Sequence, residues 1–218
     1  MIGDKNFWLS VMIFIVAWYL WKSLLMYPLR LLVTLLHESG HALAAVLTGG
    51  ATEFISVDIR GNGRAVTKGG IRLVILNGGY LGSVILGVFV YLLPYGRFGR
   101  YALMILAALL LLIAILWIRD FFTMIFSLGL GLGLVLINLS VSNSSAMLVA
   151  KFIGSCCILY SVLNIDFHFR YGRMFFNRQT DDQELAKLTK IPARLWQLVW
   201  LIISLVIFLL LTKSTLME

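Results

Sequence analysis

Leu36-His37-Glu38-Ser39-Gly40-His41-Ala42-Leu43-Ala44-Ala45-Val46-Leu47 sets an H-E-x-x-H pattern inside an apolar run. Residues four apart share one face of a helix, so His37 and His41 can turn ring nitrogens toward a single Zn²⁺. Glu38, next to the first histidine, is placed to act as general base on a water at the metal's open position. Ionisable groups at bilayer depth are costly and mark function by default. Of the 3 histidines in the chain, two lie in this pattern, and Glu38 is the one acidic residue well inside an apolar run. The pattern points to hydrolysis of something within a membrane.

The surrounding composition agrees. The 218 residues are 61% hydrophobic with a mean hydropathy of +0.95, whereas soluble domains run at roughly 45–50% apolar. An integral membrane protein is expected, with residues 1–218 forming a single membrane-embedded domain. Apolar stretches of about 20 residues mark bilayer crossings, and seven can be read at roughly 7–26, 29–48, 72–93, 101–118, 121–140, 147–166 and 194–212. The fold class predicted is an all-α polytopic membrane protein with six to seven transmembrane helices. Asp4, Lys5 and the lack of a small-residue cleavage site suggest that the first segment stays as a helix rather than acting as a cleaved signal. The formal charge of +8 is read as basic loops facing anionic lipid, not nucleic acid. Cys156 and Cys157 are neighbours on a helix, point apart, and read as packing residues.

The positive-inside rule orients the set. Lys5, the residues Arg60, Arg64, Lys68 and Arg72, then Arg119 and the basic residues from Arg170 to Arg194 fall on one side. Lys22, Arg30, Arg97, Arg100, Lys151 and Lys213 fall on the other. About twice as many on the first side places the N-terminus and long loops in the cytoplasm of a cell whose plasma membrane holds the protein.

Two excursions interrupt the apolar pattern. Residues 51–70 alternate like strands around Gly61-Asn62-Gly63, with Phe54 to Ile59 on one arm and Ala65 to Thr67 on the other, which predicts a β-hairpin. It either closes the gap between two helices at the surface or offers an edge strand to an extended substrate. Residues 167–193 form a polar, cytoplasmic loop in which Thr180-Asp181-Asp182-Gln183-Glu184 reads as an N-cap and acidic first turn. The third span opens with Asn77-Gly78-Gly79-Tyr80-Leu81-Gly82. Its Gly78/Gly82 pair lets another helix approach closely, and Asn77, Gly78 and Gly79 are candidates for substrate binding. Gly129, Gly131 and Gly133 read as packing or flexibility.

A zinc site needs a third protein ligand and one position left for water. His37 and His41 lie about 10–17 Å below the cytoplasmic end of their span, so the ligand must reach that depth from the same side. Asp166, closing the sixth span, is the first choice and Asp181 the alternative. Asp120 can pair with Arg119 instead, Asp182 shares the polar loop with Asp181, and His168 reads as an interfacial histidine.

Leu36 to Gly50 resembles the motif of site-2-protease-type membrane metallopeptidases, and is most similar to their compact, B-like branch without an inserted PDZ domain. Further matching stretches are the strand excursion, Gly79-Tyr80-Leu81-Gly82, Arg119-Asp120-Phe121-Phe122, and a late block from Asp181 through Leu185-Ala186 and Ile191-Pro192 to Trp196. The resemblance covers the chain from about residue 30 onward. It implies that His37 and His41 are zinc ligands, that Glu38 is the catalytic base, and that one Zn²⁺ is bound per chain. The larger family takes its third ligand from an L-D-G motif. Here the nearest stretch is Asn164-Ile165-Asp166, without the glycine.

The expected activity is a zinc metalloendopeptidase that cuts in or next to transmembrane segments of protein substrates. The alternative is a non-catalytic pseudoprotease that binds membrane segments, although a scaffold has no need of Glu38. A transporter is a weaker reading, because charged residues outside the motif are confined to span ends and no ion relay is visible.

Overall fold

A computed structural model describes residues 12, 15–163 and 180–214. The first long helix, α1 (Tyr27–Leu47), carries Pro28 in its first turn, where a missing N–H has no intrahelical partner to lose. It ends at Thr48, and Gly49 then takes the left-handed conformation at φ +82°, the usual way to turn a chain off a helix end. His37 falls midway along α1, about 15 Å from either end.

The hairpin forms where the sequence predicts it. Strands β1 (Ala51–Val57) and β2 (Gly63–Lys68) pair antiparallel, with an irregularity between Thr52 and Phe54. At the tip, Asp58 Oδ1 accepts from the backbone N–H of Arg60 at 2.8 Å and of Asn62 at 2.9 Å, and its Oδ2 accepts from Asn62 Nδ2 at 2.8 Å. This is the local side-chain-to-backbone bonding that suits Asp to turns.

The hairpin's position adds to the expectation. It joins α1 to the helix that starts at Arg72, with only Ile55 and Val57 buried, and in doing so folds back along α1. Thr52 Oγ1 donates to the Ala42 carbonyl at 3.1 Å, while at the other end Tyr27 Oη donates to the Ile59 carbonyl at 2.7 Å. Seven residues of strand and fifteen of helix cover the same distance, about 23 Å, so the hairpin accompanies α1 for most of its length. The outer edge of β1 is covered: Ile55 bridges to Ile118, and Thr123 Oγ1 accepts from Val57 N–H at 2.9 Å and lies 3.1 Å from its carbonyl. No second strand pairs with β2 among the described residues. β2 lines a cavity through Gly63, Arg64, Ala65 and Thr67.

This placement revises the charge tally. The positive-inside rule puts Arg30 on one side of the membrane and Arg60 and Arg64 on the other, yet all three line one cavity. A hairpin that re-enters beside its helix puts its tip at the far end, so these residues carry no orientation.

Among the described residues, five further α-helices follow the hairpin before the C-terminal one: α2 (Arg72–Leu92), α3 (Ala102–Trp117), α4 (Phe121–Ser140), α5 (Asn143–Ile158) and the short α6 (Asp181–Thr189). The last is α7 (Ala193–Ser214). Asp120 caps α4 by accepting from Thr123 N–H at 2.9 Å, and Ser142 caps α5. Among the described residues, four segments are long and apolar enough to cross a membrane: Arg72–Tyr95, Gly99–Trp117, Phe121–Ser140 and Ala193–Lys213. The expected count of six to seven is therefore not reached among the described residues. α1, which carries Arg30, His37, Glu38 and His41, is not among these four, α5 is shorter than a span, and in the 7–26 segment residues 12 and 15–20 are helical while 21–26 form turns. Large apolar side chains such as Ile85, Ile115 and Leu132 are more than half exposed, as expected of surfaces covered by lipid rather than water.

α1 sits at the centre, with Leu31, Leu32, Leu35 and Leu36 fully buried. Its closest neighbour is α2, and glycines set the distance. A Cβ on Gly82 would stand 2.6 Å from Gly40 Cα, and one on Gly40 would overlap the Gly78 carbonyl. The Gly78/Gly82 pair thus has a defined partner, the glycine inside the histidine motif itself. Gly40→Leu is expected to cost about 3 kcal/mol or more through forced separation of the two helices. A lowered thermal unfolding midpoint in detergent would register it, and an unchanged midpoint would show that the close approach is not needed.

Candidate metal centre

On α1, the four-residue spacing puts His37 and His41 one above the other, and their Nε2 atoms are 3.2 Å apart. The third donor comes from α6. Asp181 Oδ2 lies 3.1 Å from His37 Nε2 and 3.2 Å from His41 Nε2. Three ligands at tetrahedral angles about one Zn²⁺, each about 2.0–2.1 Å from it, stand about 3.3 Å apart. The observed triangle is close to one face of that tetrahedron, so these donors fit a zinc ion. His41 is further prepared, because its Nδ1–H donates to the Ile75 carbonyl at 2.6 Å. That bond fixes the tautomer and leaves the Nε2 lone pair for a metal.

Each acidic residue at the start of α6 has its own partner, which explains how a nine-residue helix is held in place. Asp181 faces the imidazoles. Asp182 Oδ2 accepts from Gln197 Nε2 on α7 at 2.7 Å. Glu184 pairs with Arg72 at the start of α2. The sequence reading of a helix start with an acidic first turn is matched, although the Thr180 side chain makes no capping bond.

α2 closes the other side. Gly79 lies against both rings: a Cβ there would be 2.5 Å from His37 Nε2 and would also strike His41 Nε2. One residue on, the Tyr80 ring meets His37 edge-to-face at a centroid distance of 4.7 Å and stacks on Trp200 at 4.2 Å. Tyr160 meets His37 at 5.2 Å. Tyr80 and Tyr160 thus pack on the His37 ring and line the same cavity as it.

Glu38 is buried, with 7% of its surface exposed, and lies in the same cavity as His37, His41 and Asp181. β2 begins against it, because any side chain at Gly63 would overlap the Glu38 carboxyl. The cavity has a volume of about 760 Å³ and runs from Trp21 and Arg30 at one end to Arg72 and Glu184 at the other.

The remaining candidates fall elsewhere. Asp166 and His168 lie outside the described residues. Asp120 does not pair with Arg119: its Oδ2 also accepts from Thr123 Oγ1 at 2.8 Å, and Arg119 donates to the carbonyls of Ile115, Leu116 and Ile118. Both ends of the Asn77 amide are engaged, Oδ1 by Trp200 Nε1 at 3.0 Å and Nδ2 by the Leu73 carbonyl at 2.9 Å. Gly78 packs on Gly40 and Ala44. Three participants were not found from the sequence: Gly63, Tyr160 and the Ile75 carbonyl. A turn glycine, a tyrosine in an apolar span and a backbone oxygen carry no pattern that marks them in advance.

A family model described as Peptidase M50B-like matches residues 10–211. No curated protein and no solved structure matches the chain. The match extends across nearly the whole chain and includes both the histidine motif and Asp181, so this integral membrane protein belongs to the Peptidase M50B-like family.

Proposed function

We propose that the protein is an intramembrane zinc metalloendopeptidase that hydrolyses peptide bonds in or next to transmembrane segments of other proteins. The observation that carries this reading is the convergence of His37, His41 and Asp181 donors within about one tetrahedral face, with Glu38 in the same cavity. His37, His41 and Asp181 would hold the ion, one per chain, with Asp181 preferred over Asp166 as third ligand. A zinc ion bound there supplies Lewis acidity toward a water and the scissile carbonyl.

The chain's own groups supply the rest. Glu38 takes the proton of the attacking water and returns it to the leaving amine. The Ile75 carbonyl holds His41 in one tautomer. The free side of β2, which starts at Glu38, is suited to receive an unwound stretch of substrate by strand addition, with main-chain bonds giving grip. We place substrate contact there in preference to Asn77, whose amide is engaged by Trp200 and Leu73, Gly78, which packs on Gly40 and Ala44, and Gly79, which lies against the two histidine rings. The basic residues apart from Arg30, Arg60 and Arg64 favour an N-terminus and a 167–193 segment on the cytoplasmic side of the cell membrane.

The test uses the purified full chain in lipid nanodiscs with a set of single-span substrates. Metal analysis should find one zinc per chain. A chelator should reduce cleavage to background, and added Zn²⁺ should restore it. Cleavage that survives removal of the metal would refute the mechanism, and zinc binding without cleavage of any substrate would favour the pseudoprotease.

A further inference from the structure

The catalytic cavity is electrically lopsided. At one end Arg72 is neutralised by Glu184. At the other end, Arg30 from the first turns of α1 and Arg60 and Arg64 from the hairpin line the wall together. Asp58 is the carboxylate nearest in sequence to Arg60 and Arg64, and both of its oxygens are engaged by Arg60 N–H, Asn62 N–H and the Asn62 amide. Among the described residues, none of these three arginines has an ion-pair partner.

Two of the three are held in place by stacking rather than by charge. The Arg64 guanidinium lies over the Phe54 ring at 5.5 Å, and that of Arg30 over the Tyr27 ring at 5.9 Å. Stacking occupies the face of a guanidinium and leaves its N–H fork available, the geometry that suits bidentate binding of a carboxylate. The hairpin tip that carries Arg60 is itself tied to α1 through Tyr27 and Ile59. Arg30 is half-buried, while Arg60 and Arg64 are exposed at the cavity's rim, so three like charges converge on one end of the cavity and raise the local concentration of an anionic segment in a salt-dependent way.

We propose that this Arg30–Arg60–Arg64 end of the cavity is a specificity site for acidic substrate side chains, requiring Asp or Glu within about three residues of the scissile bond. The spacing follows from the strand. Gly63 marks the position of Glu38, Arg64 is the next residue and Arg60 lies three before it, so a segment laid along β2 brings side chains two or three positions from the cut to the arginines. The inference rests on the proposed proteolysis only for the identity of the ligand as a substrate segment. The strand geometry favours a peptide over a lipid phosphate, because the cluster continues the wall that starts at the catalytic carboxylate.

Binding can be read without turnover. Full-length Glu38→Gln protein, loaded with zinc in phosphatidylcholine nanodiscs, is titrated with fluorescent single-span peptides. These differ only in an Asp-Asp, Asn-Asn or Lys-Lys pair placed three residues from a helix-breaking Gly-Pro. The Asp-Asp peptide should bind about tenfold more tightly than the Asn-Asn peptide, and the margin should shrink with added salt. The double variant R60E/R64E, checked for unchanged zinc content and unfolding midpoint, should lose that preference and favour Lys-Lys. Equal binding of Asp-Asp and Asn-Asn peptides, or an Asp preference that persists in R60E/R64E, overturns the proposal. So does selective retention of phosphatidylglycerol by the arginine-bearing protein without discrimination between peptides, which would mark a lipid site. An Asp preference in a protein whose unsubstituted form cleaves nothing would sink the proteolysis and leave this site standing. Equal kcat/KM for Asp-Asp and Asn-Asn peptides would do the reverse.

Discussion

Glu38→Gln is expected to lower kcat by about a thousandfold or more while zinc content and the unfolding midpoint stay at their unsubstituted values. General-base catalysis by a positioned side chain contributes about 10²–10⁴-fold, and glutamine keeps the shape of the residue but cannot accept the proton. Shape matters here because Gly63 presses on the Glu38 carboxyl and the start of β2 depends on that contact. Alanine would open a space in this wall and confuse loss of the base with loss of packing. The measurement is single-turnover cleavage in nanodiscs alongside metal analysis. Full activity in the glutamine variant would remove Glu38 from the mechanism, whatever the metal content.

Asp181→Ala is expected to weaken zinc binding by about a hundredfold or more. Removing a ligand should cost at least as much as removing a group that merely orients one, for which 10–100-fold is typical. His37 and His41 would then be left as a two-donor site, too few for a zinc centre that also keeps a water. The same change also removes the contact that turns α6 toward α1, while Asp182 to Gln197 and Glu184 to Arg72 still dock that helix. The fold should therefore survive, and competition with a zinc-binding dye will report the affinity directly. Asp166→Ala serves as the contrast. If it, and not Asp181→Ala, abolishes binding, the third ligand is Asp166 and the Asp181 geometry is a feature of the metal-free chain.

These outcomes also measure how far the sequence reading reaches. The helical periodicity of His37 and His41, the turn signal at Gly61-Asn62-Gly63 and the acidic start at Thr180 to Glu184 are all local, and each element forms within a few residues of its predicted limits. The small-residue pair Gly78/Gly82 correctly announced a close helix contact. What it could not announce was the partner, because Gly40 was hidden inside a motif read only for its metal chemistry. The choice between Asp166 and Asp181 was likewise a question of which loop dips inward, and depth counted along a span does not answer that.

The sequence by itself determined the histidine pair, the neighbouring carboxylate, the apolar helices and the hairpin, because each depends on spacing within one element. The tertiary structure decided which carboxylate meets the imidazoles, since three separate contacts from the first turn of α6 have to be satisfied at once. It also decided that the hairpin lies along α1, bringing Arg30, Arg60 and Arg64 to one cavity. A chain that folds back reverses which end of the membrane a residue reaches, and no count of charges along a line contains that reversal.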